Sequence, residues 1–211
     1  MKKLLVLIVV AIMSVSLIAC GNKNGGTQKE NTQTEKTDSS KAQSKSNVNT
    51  AKKNILVVFF SQTGNTKIIA NEIHESVGGD IFQIKTVKPY PTNYNTLVDQ
   101  AKKEQDENSR PKLAAKANNI NSYDTVFIGY PDWWHTMPMP VFSFLEQNNL
   151  SGKTIVPFCT HEGSGFGQSL EDIKKIYPKL TILQGLAVRA KDTKNAKKDV
   201  SDWLHKIGMT K

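Results

Sequence analysis

Three hydroxyl side chains within six residues mark the segment with the clearest chemical potential, Ser61-Gln62-Thr63-Gly64-Asn65-Thr66. Hydroxyls donate hydrogen bonds without carrying charge, and a glycine lets the backbone bend sharply. The segment has no lysine or arginine and fits neither G-x-x-x-x-G-K-[ST] nor G-x-G-x-x-G, the two common nucleotide loops. It is suited instead to one terminal phosphate monoester. A plain helix cap is the alternative, although a cap needs only one hydroxyl.

The flanks of this segment predict where it lies. The unbroken apolar run 55–60 precedes it and is typical of a central parallel strand buried on both faces. Apolar residues at 68, 69, 73 and 77 follow and share one face of a helix. A strand, a hydroxyl-rich turn and a helix start together predict an anion site, because the first amides of a helix lack internal partners.

The remaining pattern alternates strands and helices. Strands are predicted at 80–85, as an edge, and at 125–130, 154–160 and 180–188. Helices are predicted at about 94–107, 141–146, 168–177 and 199–207. This alternation predicts an α/β three-layer sandwich around a parallel sheet.

Two further loops should meet the first one at the carboxyl ends of the strands, where such sheets bind ligands. The second loop spans 131–138 and contains the adjacent pair Trp133-Trp134, and the third spans 159–167. Neighbouring side chains usually point apart, so at least one tryptophan should face the site and offer a flat surface to a planar ring.

The segment 61–66 matches [ST]-x-T-G-x-T and resembles the phosphate loop of flavodoxins, over a domain that would run from about Asn54 to the C-terminus. The strings P-x-W-W-x-T-M-P and T-H-E-G-S-G are similar to a bacterial flavodoxin-like subfamily. The resemblance implies a five-stranded sheet of order 2-1-3-4-5, as in flavodoxin itself, and flavin mononucleotide (FMN) as cofactor. It implies that the phosphate is held by Ser61, Gln62, Thr63, Gly64, Asn65 and Thr66, that the ring is flanked by Pro131, Asp132, Trp133 and Trp134, and that its pyrimidine side meets Thr160, His161, Gly163, Ser164 and Gly165.

Acidic and basic side chains near these loops could tune such a cofactor. Asp132 and Glu162 would lower its potential by charge repulsion, unless both carboxylates point to water. His135 and His161 are more typical of backbone hydrogen bonding than of proton transfer, so no catalytic residue is predicted. No metal cluster is predicted either, and Cys159 lies in an apolar run that favours a buried, inert thiol.

The N-terminus predicts export. Residues 1–19 have a short basic start and an apolar core, which indicates a signal peptide, and Leu17-Ile18-Ala19-Cys20 resembles the lipobox of bacterial lipoproteins. The resemblance implies lipidation of Cys20 and anchorage to the extracytoplasmic face of the bacterial membrane. An ordinary signal peptide or an uncleaved anchor is the alternative. Residues 20–53 are polar and predict a disordered tether, which leaves 54–211 as the flavodoxin-like domain.

Charge limits the classes of partner. The chain has a net charge of +9, but from position 54 onward it carries 19 basic and 16 acidic residues, without a basic stripe interleaved with aromatics. Nucleic acid is therefore not an expected partner.

The sequence favours a membrane-tethered electron carrier that serves a redox partner protein or a small-molecule acceptor. One alternative is an FMN-dependent NAD(P)H:quinone or small-molecule oxidoreductase, with 88–122 as a lid. Another is a non-redox binding lipoprotein that has lost the flavin.

Overall fold

The computed structural model describes residues 54–210. The predicted signal peptide (1–19), the predicted lipidation site Cys20 and the predicted tether (20–53) lie outside these residues. Within the described range, no helix is long and apolar enough to cross a bilayer.

The described chain alternates six strands with five α-helices. The strands are β1 (Ile55–Phe60), β2 (Asp80–Ile84), β3 (Thr125–Pro131), β4 (Thr154–His161), β5 (Thr181–Ile182) and β6 (Leu186–Arg189). The helices are α1 (Asn65–Val77), α2 (Tyr94–Asp106), α3 (Met139–Gln147), α4 (Ser169–Ile176) and α5 (Lys197–Lys206). Two 3₁₀ turns lie at Ile120–Ser122 and Ala190–Asn195. These bounds differ by a few residues from the predicted ones, chiefly at element ends.

The sheet is parallel throughout and has the order β2-β1-β3-β4-β5, with β6 also paired to β4. The predicted α/β sandwich and its order 2-1-3-4-5 are therefore confirmed, with β2 at an edge. Because all strands run the same way, the ends of β1, β3 and β4 open on one edge of the sheet.

β1 explains why there are three layers. Its residues are all buried and alternate between two hydrophobic cores. Ile55, Val57 and Phe59 pack in the core that includes residues of α1 and α5. Leu56, Val58 and Phe60 pack in the core that includes residues of α2, α3 and α4. The unbroken apolar run thus follows from burial on both faces of the sheet.

The fifth position of the sheet differs from the sequence prediction, which placed one last strand within 180–188. It holds two short strands, β5 opposite Thr154 and Ile155, and β6 opposite the stretch Phe158 to His161. Pro157 lies between the two paired stretches and has no amide to donate, so an even ladder is not available there. Gly185 lies between β5 and β6, where a Cβ atom would come within 2.5 Å of the Phe166 ring. The edge therefore breaks at that point.

Candidate functional site

A cleft of about 450 Å³ lies at the carboxyl ends of β1, β3 and β4. Ten of the fifteen predicted site residues line it, namely Gln62, Thr63, Asn65, Thr66, Pro131, Asp132, Trp133, Trp134, Thr160 and His161. The other five are not among its lining residues, namely Ser61, Gly64, Gly163, Ser164 and Gly165. Residues from all three predicted loops thus meet around one cleft.

The phosphate loop (61–66) turns at Gly64, whose φ of 97° is in the left-handed region that favours glycine. Ser61 Oγ accepts hydrogen bonds from the amides of Gly64 at 3.2 Å and of Lys67 at 3.3 Å. Ser61 therefore does the work of a helix cap, which was the alternative to a phosphate contact. Among residues 54–210, no group accepts from the amides of Asn65 and Thr66, the first residues of α1. Those two amides can bind an anion.

The hydroxyls of the loop still have protons to donate. Thr63 is exposed on the cleft wall, and Thr66 Oγ1 lies 2.8 Å from Thr160 Oγ1 in a buried pair. One hydroxyl of that pair donates to the other, so the second proton is left over. Ser61 Oγ accepts two bonds and also keeps its own proton. A neutral set of hydroxyl and amide donors results, which suits a terminal phosphate monoester.

Two predicted phosphate-loop side chains are already bonded to other parts of the chain. Gln62 Nε2 donates to the carbonyl of Pro91 at 3.1 Å, just before α2. Asn65 Oδ1 accepts from the buried hydroxyl of Thr193 at 3.4 Å. These two residues fix the loop to its surroundings, so the structure gives them a positioning role.

The second loop (131–138) makes a tight turn after β3. Trp133 and Thr136 exchange backbone hydrogen bonds of 2.8 and 3.2 Å, and the residues between them, Trp134 and His135, have φ values of 51° and 63°. Residues other than glycine adopt this left-handed conformation at a cost of about 1–2 kcal/mol each. The turn is therefore held in place by contacts beyond its own backbone.

The two adjacent tryptophans differ in environment although both line the cleft. Trp133 is half-buried and packs edge-to-face on Phe60 and Tyr90, with ring centroids 5.4 and 5.3 Å apart. Trp134 is 43% exposed. Both indoles, and not only one of them, thus line the cleft.

Helix α2, which lies in the segment 88–122 that one alternative used as a lid, forms a wall of the cleft. Tyr94, Leu97, Val98 and Ala101 line the cleft together with both tryptophans, and these six residues are called the apolar wall below. The spacing 94, 97, 98 and 101 is that of one helical face, so the pattern was present in the sequence. Nothing in it showed that this face is turned to the cleft.

Contacts through Trp134 attach α2 to the second loop. The indole Nε1 donates to the carbonyl of Val98 at 3.3 Å, and Gln105 Nε2 donates to the carbonyl of Trp134 at 3.0 Å. Lys102 Nζ also lies 5.8 Å from the indole centroid, within the range of a cation–π interaction. These contacts support the strained turn at Trp134.

The third loop (159–167) closes on the second. β4 continues through His161, so Thr160 and His161 belong to a strand and the turn itself begins later than predicted. Gln168 N donates to the carbonyl of His135 at 2.7 Å. A Cβ atom at Gly167 would lie 2.2 Å from that same carbonyl oxygen, so only glycine allows this approach.

Asp132 joins the two loops and does not point freely into solvent. Its Oδ2 accepts a hydrogen bond from Ser164 Oγ. Its Oδ1 and His161 Nδ1 are the two buried side-chain polar atoms without a partner among residues 54–210. Because buried polar atoms are rarely left unpaired, these two atoms are consistent with a polar ligand at the cleft. Glu162 is exposed at the cleft edge, and Phe166 packs towards Gly185.

Cys159 is a buried free thiol. Burial raises its pKa above the ordinary value, and the neighbouring Asp132 charge acts in the same direction. The predicted inert thiol agrees with this environment. Within the described part of the chain, no cluster of three or more His, Cys, Asp or Glu side chains could hold a metal ion.

The cleft thus presents uncharged phosphate donors at one helix start and flat aromatic surface from two other segments, α2 and the second loop. A model of the flavodoxin family matches residues 54–207, almost the whole described domain. The chain belongs to the flavodoxin family. Among proteins with curated descriptions, none matches the sequence significantly.

Solved structures of similar fold support this membership. A protein described as a flavoprotein, from Bacteroides eggerthii DSM 20697, is 36% identical, with a TM-score of 0.65, over 74% of this chain and 98% of its own. A second such protein, from Bacteroides uniformis ATCC 8492, is 27% identical with a TM-score of 0.65, over 72% of this chain and 98% of its own. A flavoprotein in complex with FMN, from Lactobacillus acidophilus NCFM, is 20% identical with a TM-score of 0.56, over 69% and 99% of the two chains, and shows likeness of fold.

Proposed function

We propose that this flavodoxin-family protein binds FMN in the cleft and carries electrons on the extracytoplasmic side of the membrane. The observation that carries the proposal is that the neutral phosphate loop and the apolar wall line one cleft at the sheet edge. The Lactobacillus acidophilus relative, whose structure is a complex with FMN, supports the same cofactor. The flavin supplies the redox chemistry when it is bound.

The chain's own residues then have separate tasks. The amides of Asn65 and Thr66 and the hydroxyl of Thr63 bind the phosphate. Apolar and aromatic side chains of the wall bind the ring and exclude water. The carboxylate of Asp132, held by Ser164, disfavours added negative charge on a ligand in the cleft and so favours a low reduction potential.

A titration of the purified protein with FMN tests cofactor binding. We expect one FMN per chain, with quenched flavin fluorescence and a shifted visible band. An anaerobic reductive titration of the same sample should then proceed in separate one-electron steps. Absence of binding at micromolar FMN would contradict both redox functions and favour a non-redox binding lipoprotein.

Tethering through Cys20 is a separate part of the proposal and rests on the L-x-A-C string after an apolar segment. Two acyl chains on one residue give stable membrane attachment. Replacement Cys20→Ser should move the protein from the membrane fraction to the soluble fraction of the producing bacterium. Retention in the membrane fraction would contradict lipid anchorage and favour an uncleaved anchor.

An FMN-dependent reductase of quinones or other small molecules is the second candidate function. The observation that favours it is the wall that α2 adds to the cleft, because a covered cleft suits a small second substrate. Steady oxidation of NAD(P)H by the FMN-loaded protein with a quinone would support the reductase. A protein that exchanges electrons without such turnover would support the carrier. The electron carrier would serve a redox partner protein, and the reductase would serve a small-molecule acceptor.

A further inference from the structure

Tyr94 is exposed to a degree that is unusual for an aromatic residue on the wall of a cleft. It is 73% exposed, and among residues 54–210 only Ile81, Val87 and Trp134 are other large hydrophobic residues in the exposed class. Of these four, Tyr94 and Trp134 line the cleft. A single exposed hydrophobic residue needs no explanation, but two aromatic residues on one cleft indicate surface kept for a ligand.

The backbone at Tyr94 is fixed beside the phosphate loop. The preceding residue, Asn93, caps α2 by accepting from the amide and the hydroxyl of Thr96, both at 3.1 Å. Two residues earlier, the carbonyl of Pro91 accepts from Gln62 of the phosphate loop. The backbone next to Tyr94 is therefore held in place, while the Tyr94 side chain makes no hydrogen bond to another group among the described residues.

Helix α2 also makes hydrogen bonds to the second exposed aromatic residue, which lies in the second loop. Trp134 donates to Val98 and accepts from Gln105, and both of these belong to α2. Tyr94 and Trp134 are thus presented by a single connected wall. A planar ring placed in the cleft would cover aromatic surface that is exposed without it, and burial of such surface favours binding.

We propose that Tyr94 is a flavin-contacting residue, which packs on the planar ring of FMN from α2, outside the second and third loops. The proposal rests on the proposed FMN binding. The contact needs the aromatic ring and does not need the hydroxyl. Because the contact is to the ring, it should act on riboflavin as strongly as on FMN.

Affinity measurements with matched variants test the contact. Tyr94→Ala should weaken binding of FMN and of riboflavin by the same factor, roughly tenfold, and Tyr94→Phe should leave both affinities within about twofold of the parent protein. Ile81→Ala is the control, since Ile81 is exposed but does not line the cleft. Thermal unfolding of the flavin-free Tyr94→Ala protein should match the parent, because the side chain is mostly exposed. Unchanged affinity in Tyr94→Ala, with normal FMN binding by the parent, would overturn the inference and leave the proposed function standing.

Chemical protection gives a readout that a structural role would not produce. Tetranitromethane nitrates accessible tyrosines, and peptide mass mapping reports each site. Saturating FMN should slow nitration of Tyr94 at least fivefold while the rate at Tyr123, which does not line the cleft, stays constant. Equal rates at Tyr94 with and without bound FMN would overturn the proposed contact. A parent protein that binds no FMN would contradict the proposed function itself.

Discussion

The phosphate loop consists of six consecutive residues, whereas the apolar wall is assembled from α2 and the second loop, which are far apart in the chain. The loop follows directly from β1 and ends in the first turn of α1, so one local turn fixes its donors. The wall depends on packing of Trp133 against Phe60 and Tyr90, and on hydrogen bonds between Trp134 and α2. A phosphate site can therefore be local, but a ring site of this kind requires the tertiary fold.

This difference separates the energetic roles of the two regions. The loop contributes hydrogen-bond donors, most of which remain free for a ligand, while Ser61 and Gln62 hold the loop itself in place. The apolar wall contributes apolar and aromatic surface to the cleft. Within it, Trp133 also packs on the buried residues Phe60 and Tyr90. Changes in the loop should therefore affect discrimination between phosphorylated and unphosphorylated ligands, whereas changes in the wall should affect stability and ring affinity.

The two tryptophans of the wall give the largest expected effect. Trp133→Ala removes an indole packed on two aromatic rings and should lower the free energy of unfolding by about 3 kcal/mol. Trp134→Ala removes a half-exposed indole and should cost under about 1 kcal/mol. Urea unfolding of the flavin-free proteins measures both values. Equal losses of unfolding free energy in the two variants would contradict the inference that the buried indole stabilises the fold more than the exposed one.

A single hydroxyl of the phosphate loop gives the next effect. Thr63→Val should weaken FMN binding roughly thirtyfold, because a hydrogen bond to a charged group contributes about 1.5–3 kcal/mol, and should leave riboflavin binding unchanged. Thr92→Val, at an exposed position outside the cleft lining, is the matched control. Parallel loss of both ligands would mean that the loop shapes the whole cleft and is not a separate phosphate site.

Alkaline pH gives the smallest effect and reports on the support beneath the wall. Burial raises the pKa of Tyr90, and its hydrogen bond to Glu104 acts in the same direction, while burial also raises the pKa of Cys159. The folded protein keeps both groups protonated after the unfolded chain has begun to lose these protons, near pH 8.5 for cysteine and 10 for tyrosine. Stability is thus fully present below about pH 8 and falls as the pH rises further.

Each such group can lower the free energy of unfolding by at most about 1.4 kcal/mol per pH unit. Tyr90→Phe should flatten the decline between about pH 10 and 11 without changing its onset, which follows Cys159 and lies at about pH 8. Urea unfolding over a pH series measures the slopes. A decline of unchanged steepness in Tyr90→Phe would mean that Tyr90 ionises as readily in the folded protein as in the unfolded chain.

The phosphate loop and the apolar wall also differ in how much of each could be predicted from the sequence. The apolar run of β1, the turn at Gly64 and the helical spacing after it are consecutive, so their local geometry follows from residue type. The sequence indicated that Trp133 and Trp134 could offer surface to a planar ring. It did not show that Trp133 is more buried than Trp134. The face of α2 was visible as a helical pattern, and only the alternative with 88–122 as a lid placed this segment at the cleft.

Two further features could be found only in the fold. The carboxylate of Asp132 is bonded to Ser164, a partner 32 residues away, so its orientation could not be derived from its neighbours. The last strand breaks in two where Pro157 and the Phe166 ring meet Gly185 from other parts of the chain. In both cases the deciding contact is long-range.

The sequence by itself determined the parallel α/β sandwich, the phosphate loop and the three segments that meet at the sheet edge, because strand burial, helix starts and turns depend on neighbouring residues. Only the tertiary structure decided that α2 is part of the cleft, that Gln62 and Ser61 stabilise the loop, and which indole remains exposed. These outcomes depend on which surfaces pack together, and packing joins residues that the sequence separates.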